Sequence, residues 1–68
     1  MIADDQELLV TRERIGRLQA QVSHLRRAET IPANYHASAA GFLAEIERMQ
    51  LEVRDYRGVH PAEMAATA

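Results

Sequence analysis

The chain has no cysteine and no lysine, and no long uninterrupted apolar run. Without cysteine, neither a disulfide staple nor a thiolate zinc site can stand in for a small core. A membrane span needs roughly 18–20 consecutive apolar residues, and none of its runs approaches that. Lacking lysine, the chain takes all eight basic charges from arginine. Ten acids outnumber them, and the resulting formal net charge of −2 gives no footprint for nucleic acid or an acidic membrane surface. The opening stretch Met1-Ile2-Ala3-Asp4-Asp5 lacks the positive charge of a secretory signal. A cytoplasmic location is the expectation.

What is present is periodicity. With 68 residues the chain is one small domain, short of the length that encloses a large core, and its 47% hydrophobic content argues against disorder. Ala39, Phe42, Ile46, Met49, Val53 and Tyr56 recur at alternating three- and four-residue spacing, which places them on one stripe of an α-helix. An earlier ladder, Leu8, Thr11, Ile15, Leu18, Val22 and Leu25, has the same heptad spacing with Thr11 as its one polar member. Each stripe needs a cover, and each is the cover for the other. The fold class is therefore all-α, an antiparallel two-helix hairpin of coiled-coil type.

Local signals set the expected boundaries. Asp4 and Glu7 have capping-box spacing, so helix one is expected over about residues 5–28, with Arg26 and Arg27 complementing its C-terminal end. Ile31 precedes Pro32 and is driven toward extended geometry, which predicts a connector over about 29–37. Ser38 is then the expected N-cap of helix two over about 38–57, with Pro32 opening that helix as the alternative. Gly58 is read as a left-handed residue ending the helix, Val59 as its apolar contact, and Pro61 as the stop. The hairpin thus fills about 1–60, and 61–68 forms a flexible tail with a helical turn at Ala62–Ala66.

One register pairs Val22 with Phe42, Leu18 with Ile46, Ile15 with Met49, Thr11 with Val53 and Leu8 with Tyr56. It also predicts Arg14 beside Glu52 and Gln21 beside Glu45. The other edge of the seam carries Leu9, Gly16, Ala20 and Ser23 from helix one, and Ala40, Leu43, Ala44 and Leu51 from helix two. Gly16 costs about 1 kcal/mol against alanine inside a helix, so it calls for a reason, and close approach of another helix supplies one. Two hairpins joined by these faces make a four-helix bundle. The expected partner is a second copy, a dimer being favoured, or else a second protein.

No chemistry-bearing constellation emerges. His24, His36 and His60 stand at no metal-ligand spacing with one another or with an acid, so no metal or cofactor is expected. Serine and threonine have no base and no pocket on a two-helix scaffold, so neither catalysis nor a small-molecule substrate is expected. Arg12, Arg14, Arg17, Arg26 and Arg27 are distributed round their helix among acids, a solvated face and not a nucleic-acid stripe.

Thr11-Arg12, with Ile46, Met49, Gln50, Glu52, Val53 and Tyr56, resembles small bacterial helical-hairpin proteins of unknown function. The same residues are similar to the hairpin that precedes the helix-turn-helix domain of some antitoxin-type regulators. Nothing after Gly58 has the makings of a helix-turn-helix, so DNA binding does not carry over. What the resemblance implies is dimerisation, or capture of a toxin or transcriptional regulator.

Overall fold

A reciprocal cap starts the first helix. The Asp4 carboxylate accepts the Glu7 N–H at 2.8 Å, while Glu7 reaches back to accept the Ala3 N–H at 2.6 Å. Two N-terminal donors are thereby satisfied, and the acids face the positive end of the helix dipole. Helix α1 then runs Asp5–Ala28, and the Glu29 N–H closes its last turn on the Leu25 carbonyl at 2.9 Å. These features come from a computed structural model that describes residues 1–63.

Helix α2 runs Pro32–Arg57 and packs against α1 as an antiparallel hairpin. Its start corrects the expected boundary. The connector is Glu29–Ile31 and not 29–37, and Ser38 lies inside the helix instead of capping it. Ile31 takes the extended geometry that a following proline imposes, and Pro32 then occupies the first helical position, where its missing N–H costs nothing. The run of residues after it contains nothing that breaks a helix.

The other end is corrected too. Gly58 is right-handed, at φ −79° and ψ −11°, and no described residue has positive φ. Its N–H donates to the Arg54 carbonyl at 3.0 Å, and the Val59 N–H donates to Tyr56 at 3.3 Å. The helix therefore closes by tightening, so the left-handed freedom of glycine is not used here. Beyond it, the His60 ring accepts the Ala62 N–H at 3.0 Å and starts a helical turn through Pro61–Glu63. The remainder of the turn expected at Ala62–Ala66 lies outside the described residues.

The core is the seam between the two stripes. Ile15, Ile46 and Met49 are buried together, with Leu18, Val22 and Val53 packed against them, and Ala39 is buried where the helices meet higher up. Leu8, Thr11, Leu25, Phe42 and Tyr56 are half-buried along the same line. Ile2 also belongs to the core at 5% exposure, although it precedes the first helix and belongs to neither ladder. It lies beside Val10, Thr11 and Glu52, so it supplies apolar volume where the ladder has its one polar member.

The result is a rod of 52 × 17 × 13 Å with a radius of gyration of 15.6 Å, where a compact chain of this length would have about 11 Å. Large-to-small changes in so thin a core leave a cavity that little can refill. Ile46→Ala is expected to lower stability by about 2–5 kcal/mol, read from urea or thermal unfolding. An unchanged unfolding midpoint would mean that the stripe is not buried.

Candidate interaction surface

The three-residue connector sets which residues face each other. Ala28 and Pro32 flank it, and both helices lead away from it at about 1.5 Å per residue. One hydrogen bond joins the two helices near their open end. Tyr56 Oη donates to Asp5 at 2.6 Å, across 51 residues of sequence, whereas the expected neighbour was Leu8, a turn further up α1. The buried grouping of Ile15 with Ile46 and Met49, with Leu18, Val22 and Val53 against it, joins residues that the expected register also brings together.

The expected Arg14–Glu52 ion pair does not form. Glu52 accepts from Arg48 at 2.8 Å and lies 3.6 Å from the α-amino group of Met1. Arg48 also engages Glu45 on its other side, so one guanidinium links carboxylates about two turns apart on α2. Its hydrogen bond holds the Glu45 carboxyl below the usual carboxylate range. Within-helix pairs at i,i+3 and i,i+4 need little extra ordering, since the backbone has already aligned them. A cross-helix pair between long exposed side chains is worth less and loses the competition.

At the open end, the hydrogen bond to Asp5 pushes the Tyr56 phenol up to about 12, and partial desolvation acts in the same direction. The phenol titrates near 10 in the unfolded chain. A group whose folded pKa is raised contributes its full stability below the unfolded value and loses it as pH rises through the folded one. Stability should therefore fall between about pH 10 and 12, and Tyr56→Phe should remove that part of the fall. Unfolding midpoints of both proteins across this range provide the check, and parallel curves would count against the clasp.

Little here resembles a reaction centre. A shallow depression near the top of the seam is lined by Ala20, Gln21, His24, Leu25 and Phe42, with His24 its one titratable group. Among the described residues no three His, Asp or Glu side chains are grouped to hold a metal ion, and no helix is long and apolar enough to cross a membrane. His24, His36 and His60 are all exposed.

The residues expected along the second edge lie instead on the outer sides of the helices: at 3.6 residues per turn Leu9, Gly16, Ala20 and Ser23 are about 140° round α1 from its buried stripe, and Ala44 and Leu51 are nearly opposite the stripe of α2. Leu9, Leu43 and Leu51 are 60%, 48% and 44% exposed, and Gly16, Ala20, Ser23, Ala40 and Ala44 are exposed around them. A Cβ added at Gly16 would meet nothing within 4 Å. Inside one hairpin, then, nothing offsets the cost of that glycine. Ile31, at the tip, and Val10 and Val59, near the open end, are further exposed apolar side chains that do not lie among these eight residues.

The arrangement defines an antiparallel helical hairpin with one sealed seam and with leucines and small residues exposed on the outer sides of its helices. Compared with protein-family models, curated proteins and solved structures, the chain finds no match in any of the three.

Proposed function

We propose that the protein is a non-catalytic association module whose hairpins assemble with one another into a helical bundle. The observation that carries this reading is the set of exposed leucines Leu9, Leu43 and Leu51 interleaved with small residues. Single exposed leucines are ordinary on soluble proteins, but three among glycine, alanines and serine make a surface that another helix can approach closely. The thin core argues the same way. Among the described residues only Ile15, Ala39, Ile46 and Met49 of the helices, with Ile2 ahead of them, are buried, and small domains of this kind commonly gain stability by oligomerising. The resemblance to hairpins of antitoxin-type regulators supports an associative role and not a catalytic one.

Size-exclusion chromatography with light scattering tests the reading directly. The wild-type chain should elute with the mass of a dimer. Leu51→Glu places a charge in the contact without touching the seam, and burying an unpaired charge is strongly unfavourable. It should yield monomers with a lowered melting temperature. A wild-type chain that is monomeric at tens of micromolar would shift the reading to a hairpin that covers this face with a different protein, such as a toxin or a transcriptional regulator.

A further inference from the structure

Ile2 shows what one edge of the hairpin accepts. It precedes α1, is 5% exposed, and sits beside Gln6, Glu7, Val10 and Thr11 of α1 and Glu52 of α2. The backbone that carries it is held in place by the Ala3 N–H, which donates to the Glu7 carboxylate. Nearer the connector, a second notch is lined by Ala20, Gln21, His24 and Leu25 of α1 and by Phe42 of α2. These four α1 residues are the positions of Gln6, Glu7, Val10 and Thr11 carried on by two heptads. The buried ladder keeps the same repeat, so the two sets stand alike relative to the seam, about 21 Å apart along α1. One notch holds an aliphatic side chain, and the other stands open among the described residues.

The upper notch is the more apolar of the two. Below, Glu7 and Glu52 contribute carboxylates, and Glu52 lies 3.6 Å from the Met1 α-amino group. Above, Gln21 takes the place of Glu7, Leu25 that of the polar Thr11, and α2 contributes the Phe42 ring. Leu25 and Phe42 are half-buried, so each still offers apolar surface to an occupant. A carboxylate or ammonium group would be desolvated there without a fixed counter-charge.

We propose that the upper notch receives a branched aliphatic side chain from a short extended segment of another protein, seated as Ile2 is seated below. The hairpin itself favours a slender occupant. Met1 stands fully exposed beside the lower notch, so a second rod laid along this edge would be held off by it. A second copy would reach the notch with its exposed Ile31 only by overlapping tip against tip. From Gln21 to the connector is about 12 Å, and two helices side by side are about 20 Å wide, so that overlap offers roughly 240 Å². A standard stable interface takes roughly 800 Å² from each partner. An extended segment needs no such breadth, because it runs along the edge and buries one side chain at a time. This site is separate from the outer leucines and does not depend on self-association.

The chain has no cysteine, so one thiol can be placed at the rim by Gln21→Cys. The probe is a peptide of residues Met1–Asp5 followed by a cysteine, used beside the same peptide with Ile2→Ser. Under mild reductant, disulfide exchange at Gln21→Cys should capture the isoleucine peptide roughly fivefold or more over the serine peptide. Glu13→Cys, at an exposed position of α1 away from both notches, should capture the two equally. Equal capture at Gln21→Cys would overturn the proposal, and so would an isoleucine preference of the same size at Glu13→Cys. Oxidising Gln21→Cys mixed with Ile31→Cys supplies the remaining arm. A cross-link in that mixture would assign the notch to a second copy and overturn the separate partner, whereas its absence supports one.

Discussion

A layer two helices thick has no interior of its own: a side chain is buried only if the opposite helix lies on it. Everything in this hairpin depends on the contact between the two stripes. Ile15, Ile46 and Met49 are buried because they meet, and the exposure of every other side chain follows from its angle to that line. The geometry leaves no room for an enclosed pocket flanked by acids and bases, which is why the polar groups form surface pairs such as Arg48 with Glu45 and Glu52. It also leaves the outer side of each helix exposed, Leu9, Leu43 and Leu51 included.

The parts of the fold legible in the sequence are those governed by helical periodicity and by caps. Both ladders lie along the seam, and the Asp4–Glu7 box forms, because these signals act within one or two turns and need no knowledge of the partner. Ile2 was illegible for the opposite reason. It sits before the helix, outside any period, and is buried only because the chain folds back beside Thr11 and Glu52. Pro32 carried two readings, and helix two begins at the earlier one since the residues after it continue the helix without interruption. Gly58 had every sign of a left-handed cap, yet the last turn closed by a tighter right-handed path.

Electrostatic partners were harder to read than apolar ones. Apolar contacts are fixed by the stripe and tolerate a shift of a turn, since another apolar side chain comes into place. Charged pairs do not tolerate it. Glu52, expected beside Arg14 on the other helix, went to Arg48 on its own. The exposure of Leu9, Leu43, Leu51 and the small residues was legible from their place outside both ladders.

The connector sets an order of assembly. Contacts near Ala28 and Pro32 close loops of a few residues, while the Asp5–Tyr56 bond closes one of 51. Loop closure becomes entropically harder as the loop lengthens, and local pairings form fastest. The hairpin therefore zips from its tip toward its open end, each turn of seam shortening the loop that the next must close. The clasp at Asp5 and Tyr56, together with Ile2 beside it, is the last part to form and the first to fray.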